Sequence, residues 1–478
     1  MNTIQKYVVA LDIGTSGCRA VAVRADGTTA VRHTCALVPR RSAPGISEYQ
    51  ADDLLGACKE VLQAVLDQVG PQHVAALAVA SQRSTVVLWD KTTGQAAGPI
   101  LTWEDGRAQA QAAQAAISQE EVHSQTGLYK TPFFSAPKIA WMLQQVPQAA
   151  QLLKQGHLLA APVASYLIWH LTDGKIFATD ATLAQRTLLY DVTCGGWSAA
   201  LCQAFGVPQE ILPPILPTAA DYGVYSYRGT DIPITVCVGD QQAAAAYFAL
   251  RPKDSLLNYG TGAFWLYHTG TKPVFLPGML TSVAATSQAY LLEGPVNAAG
   301  SALLWLKAQG LLFEDEALQS LCEGAKQPVW FLPALGGLGA PYWDFSVSAA
   351  AEGLSPLTRK EDWVAGVVRG IAFLLADIGA YLRVNGCALE GTIQVSGGLS
   401  QLNYLTSFQA DLLQQPLWVS SQTEATLLGA AGLAAERMGQ PFAVEQTGKQ
   451  QVLPKLRAES ARELYSQWQQ FVKRQRQK

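Results

Sequence analysis

Two stretches of this chain lie 246 residues apart (260 − 14) and share one design: LDIGTSGCRAVAV from Leu11 to Val23, and LNYGTGAFWLYHT from Leu257 to Thr269. Each reads as an apolar strand, a polar residue, a Gly-Thr turn among small residues, and a second strand. A spacing of just over half of 478 residues asks for two halves of related plan, each opening on a β-hairpin. Glycine lacks a Cβ and threonine adds a hydroxyl donor, so tips of this kind let backbone N–H groups approach an anion closely. Two such tips facing each other across a cleft would hold a polyphosphate. One Gly-Thr alone is also an ordinary tight turn, and the inference rests on the matched pair. Neither tip is a P-loop, since no G-x-x-x-x-G-K follows, and no G-x-G-x-x-G opens a helix as a dinucleotide fold requires.

Length supports the two halves, because a chain of this size exceeds one ordinary core and suits two domains of roughly 200–250 residues. The expected division is 1–246 and 247–478. Strand-like runs such as YVVALDI and VAALAVA alternate with helical stretches such as ADDLLGACKEVLQAVLDQV, which predicts α/β layers with sheets covered by helices. Hydrophobic residues make up 49% of the chain and charged ones 15%, so it can bury a large core. A net charge of −3 offers no field for a polyanion, and the one basic cluster is the terminal KRQRQK, so nucleic acid is an unsuitable partner. The eight cysteines show no C-x-x-C and no histidine at metal-ligand spacing, and are expected to be reduced thiols. Asp12 falls where a signal peptide needs an apolar stretch, and no run approaches the ~20 apolar residues of a membrane span. The expectation is a cytoplasmic protein with no membrane partner.

Several residues stand out chemically. In ITVCVGDQQAAAA, an apolar strand stops at Gly239 and Asp240 follows, with no basic residue beside it and a helix-forming run behind it. Such a carboxylate either caps the helix or is held ready to accept a proton. Gln82, Arg83 and Ser84 follow the strand ALAVAS, and an arginine at a strand end offers a fork of donors to adjacent hydroxyls. Trp103 is either a core residue or a flat face for a C–H surface. Gly397-Gly398 ends another strand, either as a plain strand-to-helix turn or as open backbone where a base can lie.

With these sites in view, the chain resembles the FGGY carbohydrate kinases, the glycerol, xylulose and gluconate kinase group. LDIGTSGCRA looks like the family's first phosphate segment and SLLNYGTGAF like its second; FFSAPKIAWMLQQ fits its signature of an aromatic residue, a Lys and a Trp three places on. GDQQAA, GLGAPYWD and GG-x-S-x-x-N-Y complete a set in the family's order, from about Tyr7 to about Ala435. The resemblance implies an α/β fold of two actin-like (ribonuclease H-like) domains with an ATP cleft between them. It implies an ATP-dependent kinase with Mg²⁺, acting on a terminal hydroxyl of a small neutral polyol or ketose, with domain closure excluding water.

Carried over residue by residue, the resemblance makes Asp240 the general base. Asp12 becomes the magnesium partner through water, with Asp240 as a second carboxylate near the metal. Gly14, Thr15, Ser16 and Arg19 take phosphates on one side and Gly260, Thr261 and Gly262 on the other. Gly398 and Asn403 lie against adenosine, with Gly300 and Leu304 on the opposite wall. Gln82, Arg83, Ser84, Trp103, Phe133, Gln241 and Phe264 join Asp240 in the acceptor pocket. A phosphorylated acceptor is not expected, since one arginine is thin provision for a dianion.

Within the family, SQRSTVVLWD, GDQQAA, TGAF and GLGAPYWD look most like glycerol kinases, while WEDGRA and FSAPKIAW sit closer to xylulose kinases. Departures bear on the acceptor: Ser84 stands where glycerol kinases usually carry Glu, Phe133 where they carry Tyr, and Leu304 where they carry Gln. Glycerol is therefore the first expectation and a five-carbon ketose such as xylulose the second. A homodimer is left open. A non-catalytic actin-like ATP-binding sensor would show a broken base or a broken acceptor pocket, and a NAD-dependent oxidoreductase lacks its dinucleotide motif.

Overall fold

YVVALDI forms the strand Tyr7–Ile13, buried from Val8 to Ile13, which requires cover on both of its faces. It pairs antiparallel with Gly17–Val23 and parallel with Val74–Ser81. The computed structural model describes residues 6–286, 289–314, 316–441 and 449–477; residues 1–5, which entered the leader argument, and residue 478 of the basic cluster lie outside these. The chain divides into two units. Unit 1 takes Met1–Ala249, Thr281–Ala289 and Ala425–Glu445; unit 2 takes Leu250–Leu280, Tyr290–Glu424 and Gln446–Lys478. The first continuous stretch thus stops three residues past 246 (249 − 246), and two later segments return to it.

The sheet of unit 1 runs, in hydrogen-bonded order, Val224–Tyr227, Thr230–Gly239, Val74–Ser81, Tyr7–Ile13, Gly17–Val23, Thr29–Ala36. Its two faces follow the period of 2 in the sequence. Val9, Leu11 and Ile13 join Leu54, Cys58, Val61 and Leu62 of the helix Ala51–Val69 in one core, while Val8 and Ala10 join a second core with Leu427, Ala430, Ala431 and Ala434 of the helix Ala425–Arg437. Alanines at 76, 78 and 80 on the sheet and 430, 431 and 434 on the helix let the two approach closely.

The sheet of unit 2 contains Tyr290–Val296, Ala263–Gly270, Ser255–Tyr259, Ile393–Ser396, Leu417–Ser420 and Lys449–Val452 in that order. Ser255–Tyr259 pairs antiparallel with Ala263–Gly270 and parallel with Ile393–Ser396, so a Gly-Thr hairpin again sits beside a parallel pair. The helix Lys360–Val384 is long and apolar enough to cross a membrane by length and composition, with an 18-residue window of mean hydropathy 1.6, yet 83% of that window is buried inside the fold. Its interruption by Gly366, Arg369, Gly370, Asp377 and Gly379 hid that length in the sequence.

Asp377 on this helix is buried and accepts from Tyr465 Oη at 2.7 Å and Trp468 Nε1 at 2.9 Å, fixing the terminal helix Ala458–Arg476. Burial pushes the Asp377 carboxyl up to about 6, although the tyrosine and tryptophan donors oppose it. A raised carboxyl pKa means that the folded state holds a proton the unfolded chain has released, so this stabilisation is full below the unfolded value of about 4 and is lost as pH rises through 6. Asp377→Asn is therefore expected to gain about 1 kcal/mol relative to the parent on going from pH 5 to pH 7.5. Urea unfolding midpoints of both proteins at the two pH values check this; a gap that stays constant would refute it.

Candidate active site

Three parallel strands of unit 1 end abreast, with Ile13 opposite Ser81 and Ser81 opposite Gly239. The segments that follow them are Gly14–Gly17, Gln82–Ser84 and Asp240–Gln242, so the residues singled out in the sequence emerge side by side at the carboxyl edge of the sheet. Open α/β sheets collect ligands at that edge.

Each segment is fixed by its neighbours. The Gly14 N–H donates to Gly17 O at 3.0 Å, and a Cβ on Gly17 would lie 2.8 Å from Cys35 O, so the turn needs glycine there. Tyr49 Oη donates to Thr15 O at 2.6 Å, and Trp103 Nε1 donates to Thr15 Oγ1 at 2.9 Å. Gln82 Nε2 reaches Gly14 O at 3.4 Å and Tyr49 Oη at 3.3 Å, while Thr85 Oγ1 donates to Gln82 Oε1 and accepts from the Trp103 N–H. Ser16 is exposed at the tip. Thr15 and Trp103, assigned in sequence to phosphate and acceptor, are thus hydrogen-bonded partners. Tyr49 and Thr85 are the links that sequence reading missed: Tyr49 belongs to no motif, and Thr85 lies within SQRSTVVLWD with nothing to set it apart.

Arg83 Nε lies 3.3 Å from Asp240 Oδ1, and Arg83 Nη1 donates to Gln242 Oε1 at 3.5 Å. The sequence shows no basic residue beside Asp240; the fold supplies one from the adjacent strand end. The Asp240 side chain is 27% exposed and that of Arg83 8%. Capping is not its task in the usual sense, since the N-cap is Gly239 and Asp240 is the first helical residue, its Oδ1 accepting the Gln241 N–H at 2.8 Å. Gly239 is crowded by these side chains: a Cβ there would lie 2.8 Å from Gln242 Oε1 and 3.0 Å from Arg83 Cδ. Gln242, which the sequence does not single out, is buried against Arg83.

Ser84 adopts φ +65°, a turn that directs the chain into the strand Val86–Asp90. Phe133, 36% exposed, lies near Gly106, whose Cβ would sit 3.5 Å from the ring. The segment carrying Trp103 is anchored by Asp105, which accepts from the Ser47 N–H at 2.7 Å and from Arg107 Nη2 at 2.7 Å; Arg107 also reaches Glu48 and covers Trp141 at 5.0 Å. Arg19 pairs with Asp12 at 2.7 Å, and Asp12 is almost fully buried.

In unit 2 the Gly260 N–H donates to Gly262 O at 2.8 Å, and Thr261 O accepts from the N–H groups of Ala299 and Ser301 at 3.0 Å each. Gly300, which heads the helix Gly300–Ala308, donates its N–H to Gly260 O at 3.0 Å, and a Cβ there would lie 2.8 Å from that oxygen. Gly300 therefore packs against the hairpin tip, with Leu304 exposed one turn later. Gly397, at φ +93°, brings the chain so close that a Cβ would lie 2.4 Å from Tyr259 O. Gly398 opens a short 3₁₀ turn on an open side, and exposed Asn403 begins the next helix. Phe264 stands in unit 2, opposite Asn258 in the hairpin.

The N-terminal domain model of the FGGY family of carbohydrate kinases matches residues 7–246, and the C-terminal domain model of the same family matches residues 256–438. The chain belongs to the FGGY family of carbohydrate kinases. It is 34% identical over 490 residues to the glycerol kinase of Thermus brockianus, covering 98% of both chains. Its fold is similar to that of Plasmodium falciparum glycerol kinase with ADP, at a TM-score of 0.89 and 25% identity over 98% of each chain. The xylulose kinase of Rhodospirillum rubrum matches the fold at a TM-score of 0.84 and 22% identity, over 98% of each chain. This FGGY kinase is thus an ATP-dependent phosphotransferase with two α/β domains of the actin-like, ribonuclease H-like kind.

Among the described residues, no group of three or more His, Cys, Asp or Glu side chains forms a ready metal cage. The carboxylates at the strand ends are Asp12, paired with Arg19, and the more open Asp240. A small set of hard oxygen donors fits Mg²⁺ that arrives with its nucleotide and keeps most of its waters.

Proposed function

We propose that this kinase transfers the γ-phosphoryl group of ATP to a terminal hydroxyl of a small neutral polyol, with glycerol as the preferred acceptor and Asp240 as the base. The observation that carries the reading is the Arg83–Asp240 pair at the ends of adjacent parallel strands, with an accessible carboxylate at its outer side. The hydroxyl oxygen attacks the γ-phosphorus, the bond to the bridging oxygen of ADP breaks, and the hydroxyl proton passes to a carboxylate oxygen of Asp240. Arg83 directs that carboxylate, and its fork of donors suits adjacent hydroxyls. Trp103, its N–H spent on Thr15, turns a ring face to the C–H side of the acceptor. Gly14, Thr15, Ser16 and Arg19, and separately Gly260, Thr261 and Gly262, are proposed to take phosphate oxygens; Gly300, Leu304, Gly398 and Asn403 are proposed to take the nucleoside. Asp12 and Asp240 would hold Mg²⁺ through water, and the ion when bound neutralises phosphate charge.

A pentulose is the second reading, favoured by Ser84 and Phe133, which offer a short hydroxyl and a bare ring where a triol site needs polar groups. ADP release coupled to a dye readout, run over glycerol, erythritol, xylulose, ribulose and gluconate with Asp240→Ala as the blank, decides between them. Glycerol is expected to give the highest kcat/KM, by about tenfold or more, the scale of one well-placed hydrogen bond. Preference for xylulose or ribulose would overturn glycerol, and no stimulation by any compound would overturn the acceptor class.

A further inference from the structure

The Lys138 of the FFSAPKIAW motif has no part in the chemistry above, yet it is fully buried. It lies in the first turns of the helix Ser135–Gln145. Among the described residues no carboxylate stands within ion-pair distance of its ammonium; the nearby Asp105 is engaged by Arg107 and the Ser47 N–H. Burying an ammonium without a counter-charge is expensive, and burial pulls the Lys138 pKa down to about 7, with Asp105 raising it and Arg107 lowering it. Something specific must offset that cost.

What surrounds Nζ is a set of three main-chain carbonyls. Nζ donates to Thr102 O at 2.5 Å, Phe133 O at 2.6 Å and Ser84 O at 3.3 Å. An ammonium has three donors and no acceptor, so this set matches its capacity. The carbonyls come from three segments separated in sequence, and each adjoins the acceptor site: Ser84 follows Arg83, Thr102 precedes Trp103, and Phe133 belongs to the pocket itself. Ser135 Oγ adds a second donor to Ser84 O at 3.3 Å. A methylene-rich core residue would remove one donor from each of these carbonyls, although Thr102 O would keep the Asp105 N–H at 3.1 Å and Ser84 O the Ser135 hydroxyl, and a carboxylate would repel them.

We propose that Lys138 is the positioning residue of the acceptor pocket, gathering the backbone of Ser84, Thr102 and Phe133 on one ammonium so that Arg83, Trp103 and the Phe133 ring hold a single arrangement. Lys138 touches neither acceptor nor nucleotide. It sets the spacing of the wall that does, and with it the size of acceptor that fits. The inference deepens the polyol kinase reading and rests on it for the identity of the ligand, but the clamp itself is a property of unit 1.

The test uses the full chain with Lys138→Met, Lys138→Gln and Ser135→Ala. Ser135→Ala removes a hydroxyl and leaves the ammonium in place, so it keeps the question answerable if the lysine variants do not fold. Two readouts are taken: amide hydrogen exchange by mass spectrometry without ligands, and KM for acceptor and for ATP with the best substrate of the panel. Both lysine variants are expected to speed exchange in residues 82–86, 102–106 and 131–135 together, and to raise the acceptor KM at least tenfold while the ATP KM stays within twofold. Ser135→Ala is expected to show the same split at about threefold, with faster exchange confined to residues 82–86. Unchanged exchange in those segments, or acceptor and ATP KM rising together, would overturn the clamp. If no compound supports turnover, the polyol reading fails by itself, and the exchange pattern still decides the role of Lys138.

Discussion

Asp240→Asn is expected to lower kcat by about 10²–10⁴-fold while ATP binding stays within about twofold, the loss typical of removing a positioned general base. Asparagine keeps the shape, and its side-chain oxygen still accepts the Gln241 N–H. It cannot take a proton, and it cancels the charge facing Arg83. The competing account gives Asp240 only the task of an acid in the first turn of the helix Asp240–Tyr247. That account predicts a stability change of about 0.3–1 kcal/mol and near-normal turnover. Steady-state rates combined with nucleotide binding by calorimetry separate the two, and a variant turning over at more than a tenth of the parent rate would refute the base.

Gly429→Ala is expected to be the most damaging single methyl in unit 1. A Cβ at that position would lie 1.8 Å from Ala243 O, 2.7 Å from Ala243 C and 3.1 Å from Tyr247 N, all backbone atoms of the helix that Asp240 begins. No side chain can swing away to make room, so the helix Ala425–Arg437 must move off its neighbour. Overpacking of this kind costs about 1–3 kcal/mol or more, which outweighs the ~1 kcal/mol gained by replacing a helical glycine. At about 2–4 °C per kcal/mol for a domain of this size, the melting temperature should fall by several degrees. Activity should fall with it, because Thr426 Oγ1 donates to Asp240 O at 3.3 Å from the displaced helix. Gly56→Ala is the control: it lies inside the helix Ala51–Val69 with nothing within 4 Å of a Cβ, and should gain about 0.5–1 kcal/mol. Equal effects at both positions would refute the packing argument.

Much of the plan is legible in the residues. The two Gly-Thr hairpins stand out because a turn of small residues between apolar strands has few other readings, and both form as strand pairs. What the sequence hides is set by contacts across distance. Arg83 and Asp240 are 157 residues apart (240 − 83), and only the register of parallel strands makes them neighbours. That Gln242 meets Arg83 is set by helix phase, which adjacent identical residues cannot reveal. Lys138 is visible as part of a motif, but its partners are main-chain oxygens, and any residue type can supply those. The return of Ala425–Glu445 to unit 1 is equally silent, since an alanine-rich helix reads the same whichever sheet it covers.

That return has a consequence for how the protein is made. Val8, Ala10, Val21, Ala76, Ala78 and Val236 stay uncovered until Leu427, Ala430, Ala431 and Ala434 arrive. A chain emerging from the ribosome therefore covers the second face of its first sheet only after Arg437 has been synthesised. Until then a strip of small apolar side chains faces water, open to chaperones or to self-association, and the first half expressed alone should be insoluble unless the late helix is supplied with it.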